Sequence, residues 1–98
     1  MFSSKELNIV DSQYFKVIQK SALCVTVVSK NTGHFWHIIH QEYPSFKSCE
    51  IWHKHKAEDQ YHLHGHKGTL KAAINSVKDH DRYQLNHRRP VRKKSNLA

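Results

Sequence analysis

Hydrophobic positions change their period along this chain, and each change marks an element. Two runs between residues 23 and 40, Leu23-Cys24-Val25-Thr26-Val27-Val28 and Phe35-Trp36-His37-Ile38-Ile39-His40, are rich in β-branched and aromatic side chains. Ser29-Lys30-Asn31-Thr32-Gly33 lies between them and supplies Asn and Gly, which reach positive φ at low cost. The pattern predicts a β-hairpin. Matching Ser29 with His34 sets Val25 and Val27 beside Ile38 and Trp36 on one face, a surface fit for a core. Further on, Leu70, Ala73, Ile74 and Val77 fall at i, i+3, i+4 and i+7, the stripe of an amphipathic helix. Thr69 stands where an N-cap is needed, after Gly68, and the pattern fades around Asp79-His80-Asp81.

The remaining segments fill in the sheet. Tyr14–Gln19 gathers Tyr, Phe, Val and Ile and reads as a strand; residues 1–12 read as a short helix or as disorder. Pro44 ends the second strand of the first hairpin, because proline cannot donate to a central ladder. Residues 48–56 and 60–66 then form a second hairpin, with Ala57-Glu58-Asp59-Gln60 at its turn. The expected architecture is a single small α+β domain over residues 1–81. It has an antiparallel sheet of four to five strands (two hairpins), packed by one C-terminal amphipathic helix. Residues 82–98 read as a basic flexible tail, with Pro90 and Arg92-Lys93-Lys94 arguing against packed structure.

Charge sharpens that division. Residues 1–81 carry ten Lys/Arg against eight Asp/Glu, whereas residues 82–98 carry six Lys/Arg and no acid. Most of the net charge of +8 therefore sits at the C-terminal end. With 98 residues there is room for one modest core. The two cysteines, Cys24 and Cys49, are too few for a disulfide scaffold or a thiolate zinc site and read as reduced thiols, so a cytoplasmic location is expected. The start of the chain lacks the apolar run of a signal peptide, and the apolar stretch around Ala22–Val28 is too short to span a bilayer. No glycine-rich phosphate loop is present.

Histidine is the residue with a chemical edge. Eight of ten lie between residues 34 and 66, and five fall in the alternating runs His53-Lys54-His55 and His62-Leu63-His64-Gly65-His66. With each run as a strand, alternate residues share a side. A register pairing His55 with His62 and His53 with His64 then gathers four imidazoles, His53, His55, His62 and His64, into one patch. Neutral imidazole ligates zinc and other late transition ions. Trp52, Tyr61 and Leu63 fall on the opposite face, so the simplest arrangement buries them and turns the histidines to solvent. On such a face, mild acid would charge the imidazoles and strengthen any binding of anions below about pH 6.5.

Two functional readings follow, with a third behind them. The first is a nucleic-acid-binding accessory protein. Arg82, Arg88, Arg89, Arg92, Lys93 and Lys94 would attract phosphates without reading sequence, joined by Lys54, Lys56, Lys67 and Lys71 from the body. Trp36, Trp52 and Tyr61 would stack unpaired bases if exposed. The second reading is a zinc-like module built on the four histidines. The third is a protein-interaction or homodimeric module that pairs through an edge strand. His37, His53 or His62 with Lys54 supplies residue types for phosphodiester cleavage, but ten histidines offer them by chance. No Ser-His-Asp order or Cys-His pairing stands out, and catalysis is not favoured.

Overall fold

The computed structural model of the chain describes residues 1–42 and 47–87. Seven elements follow in order: α1 (Ser4–Leu7), β1 (Phe15–Lys20), β2 (Cys24–Ser29), β3 (Phe35–Glu42), β4 (Lys47–Lys54), β5 (His62–Lys67) and α2 (Leu70–His87). The strands form one antiparallel sheet in sequence order, β1-β2-β3-β4-β5, so each strand pairs with its neighbour in the chain. This is the expected α+β domain with a C-terminal helix against the sheet. Among the described residues no helix is long and apolar enough to cross a membrane.

The first hairpin forms with the predicted register. Val25 pairs with Ile38 and Val27 with Trp36, and Gly33 takes a φ of 78° in the turn. All four side chains are buried and join Phe15, Ile51 and the stripe Leu70, Ala73, Ile74 and Val77 of α2 in a single core. Thr69 caps α2 through a bond from the Ala72 amide to its hydroxyl at 3.1 Å. The helix does not stop at Asp81; it continues to His87, so Arg82 lies on a helix and not in a tail. Arg82 pairs with Asp79 one turn earlier, and together with the buried Asp81 this carries the helix through the segment expected to fray.

The second hairpin departs from expectation in register and in facing. His53 lies opposite His62, not His64, because the loop from His55 to Tyr61 is longer than the four-residue turn expected. Next to the turn the shift is by two residues, so His53 and His62 keep the same side. The facing, however, is reversed. On β4 the residues sharing His53's side are Cys49 and Ile51, and Ile51 pairs with the buried Ile38 of β3. Burying that side turns His53 towards α2 and leaves Trp52 and Leu63 on the open side. A bulge where Ile51 faces Gly65 and Trp52 faces Leu63 then places His66 opposite Glu50, on the open side, away from His62 and His64.

Candidate metal centre

Three elements of distant sequence position bring imidazoles to one point. His34 precedes β3 and shares the parity of Trp36 and Ile38, so it is buried under α2. His53 pairs directly with Trp36 and is buried beside it. His80 lies three residues past Val77 and extends the buried stripe of α2 by one step. The ligating nitrogens of His34, His53 and His80 all lie within 4.8 Å of one another, and His53 Nε2 is 3.1 Å from His34 Nδ1. Tetrahedral zinc with bonds of about 2.0–2.1 Å sets its nitrogens roughly 3.3 Å apart, so side-chain shifts of about 1.5 Å or less complete the geometry.

The local chemistry suits a cation. Burial, followed by the neighbouring His80, His34, His55 and His62, pushes the His53 imidazole down to about 3. Burial also lowers His80 and His64. These rings are therefore neutral at physiological pH, with lone pairs available for coordination. His53 does not become cationic in mild acid, as a ring on a solvent-facing patch would. His80 Nε2 is buried with no hydrogen-bond partner among the described residues, an arrangement that costs free energy unless something binds it. The Trp36 indole nitrogen is unpartnered too, but it can only donate.

Around the three nitrogens runs a ring of aromatic contacts. Trp36 stacks on His53 with centroids 4.1 Å apart and meets His64 and His80 edge-on at 5.2 and 5.4 Å. His55 stacks on His34 at 4.2 Å, His62 meets His53 at 5.3 Å, and His64 meets His80 at 4.9 Å. A cleft of about 380 Å³, lined by Thr32, His34, His55, Lys56 and Gln84, reaches the edge of this cluster. Behind His80 the fully buried Asp81 accepts hydrogen bonds from the Tyr14 hydroxyl at 2.7 Å and the Thr32 hydroxyl at 3.1 Å. Burial and the bond to Asp81 push the Tyr14 phenol up to about 12. The contacts tie α2 to β1 and to the β2–β3 turn, and so set the rotation at which His80 faces the sheet.

Of the four histidines expected to converge, His53 alone belongs to the three-nitrogen group; His55, His62 and His64 surround it. His34 and His80 were missed, although a signal existed for each. His34 continues the even-numbered alternation of Trp36 and Ile38, and His80 continues the helical stripe after Val77. The basic residues do not converge. Lys54 reaches across the open face, with Nζ 4.5 Å from the Tyr61 ring centre and donating to the Ala57 carbonyl. Lys56, Lys67, Lys71 and Arg82 are exposed at separate places. Arg88, Arg89, Arg92, Lys93 and Lys94 lie outside the described residues.

Protein-family models, curated proteins and solved structures offer no match to this chain. Three neutral imidazoles add no negative charge, so a bound divalent ion keeps its full charge and one or more positions for water or another ligand. The open side of the sheet also holds a cysteine–histidine contact that the sequence did not suggest, with Cys24 Sγ 3.4 Å and Thr26 Oγ1 2.7 Å from His37 Nδ1. Cys49 is buried on the other side, and its thiol is pushed up to about 11 by desolvation.

Proposed function

We propose that this protein is a transition-metal-binding module whose centre is His34, His53 and His80, with zinc as the expected ion. The observation that carries this reading is the approach of three imidazole nitrogens within 4.8 Å, from the start of β3, from β4 and from α2. Two of the three rings, His34 and His53, are buried and meet through a hydrogen bond of 3.1 Å between their nitrogens, which requires one of them to be a neutral acceptor. The buried, unpartnered Nε2 of His80 supports it further. Imidazole sets of this kind suit zinc, copper and nickel, and relative affinity follows the general rise towards copper. Zinc is preferred here because it accepts a three-nitrogen set plus water without a geometric demand of its own.

Titration calorimetry of the metal-free chain with zinc tests the reading. One ion per chain is expected. His53→Ala and His80→Gln should each weaken binding by more than about a hundredfold, since loss of even an outer partner typically costs 10–100-fold. His62→Ala and His66→Ala should retain the one-to-one stoichiometry. Absence of saturable binding, or binding indifferent to His53 and His80 in variants with native circular dichroism, overturns it.

A further inference from the structure

The side of the sheet turned away from α2 has a different character, and among the described residues no element packs on it. Strand pairing arranges its side chains in rows. One row runs Gln19, Thr26, His37, Trp52 and Leu63 across all five strands. The next runs Lys16, Val28, Phe35 and Lys54. Tyr61 stands just before β5, its ring 5.6 Å from that of His37. Phe35, His37, Trp52 and Tyr61 are thus neighbours on one surface, each half-buried, and Leu63 beside them is 46 % exposed. A core would not leave so much ring area open.

Charge narrows what covers this surface. Lys54 projects its ammonium between two rings, 5.1 Å from the centre of Phe35 and 4.5 Å from that of Tyr61, and Lys16 stands at the end of the same row. Neither aromatic row contains an acid. The carboxylate of Glu50 lies in a third row with Cys24, Ile39 and His66. It is already engaged, accepting from Trp52 Nε1 at 3.3 Å and lying 3.7 Å from His66. A second copy docked symmetrically through this face would offer these lysines no acid from the aromatic rows, and would bury them without carboxylate partners. A flat aromatic surface edged by lysine instead matches unpaired bases, whose π-faces stack without regard to sequence and whose phosphates need cations.

We propose that the open face of the sheet binds single-stranded nucleic acid, bases stacking on Trp52, Tyr61 and Phe35 while Lys54 and Lys16 hold phosphates. The surface is separate from the histidine centre, which lies on the other side of the sheet, and the two proposals stand or fall independently. The strong positive charge of the whole chain, +8, favours the same class of ligand.

The test uses the full chain in EDTA with fluorescein-labelled dT12 and U12, read by anisotropy at several salt concentrations. Saturable binding stronger than to a blunt duplex of equal length is expected. Trp52→Leu with Tyr61→Leu should weaken it by roughly tenfold or more, because each lost base stack is worth about 5–150-fold. Lys54→Gln should lower the salt dependence by about one counter-ion. In the unmodified chain, oligonucleotide should quench the emission of Trp52, a readout that needs no substitution; Trp36, buried in the core, is shielded. Equal affinity of the double variant with native circular dichroism, preference for the duplex, or binding without quenching would assign the interaction to diffuse basic charge and overturn the proposal. So would a lack of binding, including the case where light scattering shows the face occupied by a second copy.

Discussion

At the scale of single residues, the histidine centre is a place where burial works against protonation. His53 is held near 3 while its unfolded value is the ordinary 6.5, so the native state keeps it neutral and the unfolded chain takes up a proton as acid is added. Its contribution to metal-free stability is therefore complete above about pH 6.5. The contribution declines as pH falls from 6.5 towards 3, and the lowered His64 and His80 act in the same direction. Urea midpoints measured from pH 4 to 8 should fall steeply on the acid side in the metal-free protein. His53→Phe, which can keep the stack on Trp36 without a titratable ring, should flatten that slope; an unchanged slope would show that another group governs acid unfolding. Asp81 presents the complementary case. Tyr14→Phe removes one of the two hydroxyls donating to this buried carboxylate, and should cost about 1–3 kcal/mol in denaturant unfolding.

At the scale of elements, α2 decides whether the histidines meet. Its stripe Leu70, Ala73, Ile74 and Val77 fixes which side touches the sheet, and the same helical period then carries His80 and Asp81 inward. Through Asp81 the Tyr14→Phe change should also loosen the aim of His80, and zinc affinity should drop by roughly tenfold in the same variant. Removing the cap by Thr69→Ala should lower stability by about 1 kcal/mol with little change in zinc affinity, because the cap lies at the other end of the helix. Calorimetry and thermal unfolding of both variants separate aim from stability. The stripe, the cap and the first hairpin were legible because each is set by local period and turn chemistry. The facing of the second hairpin was not, because Trp52, Tyr61 and Leu63 form the more apolar side of that hairpin when it is considered alone. The decision belongs to β3: Ile38 pairs with Ile51 and Trp36 with His53, and the buried face of β3 carries the histidine side inward with it. His34 and His80 escaped notice for a related reason. Each is a lone histidine at the end of an apolar pattern, and only the tertiary fold brings them beside the His-x-His run.

At the scale of the whole molecule, the sheet separates two surfaces, and the helix covers one of them. The covered side contains both the core and the three imidazoles, so a metal ion there would link the first hairpin, the second hairpin and α2 from the interior. Such a link acts on the native state alone, because residues 34, 53 and 80 are held together only when the chain is folded. Bound zinc should therefore stabilise the entire domain in one cooperative transition, not a local loop. At free zinc a hundred times the dissociation constant the gain is about 2.7 kcal/mol. For a domain of this size that corresponds to a rise of roughly 10–20 °C in Tm. Thermal unfolding followed by circular dichroism, with zinc and then with excess EDTA, should show the rise and its complete reversal. His80→Gln should abolish the zinc-dependent rise, whereas Trp52→Leu with Tyr61→Leu on the open face should retain it. A zinc-dependent rise that survives loss of His80 would place the ion elsewhere among the ten histidines and remove α2 from the centre.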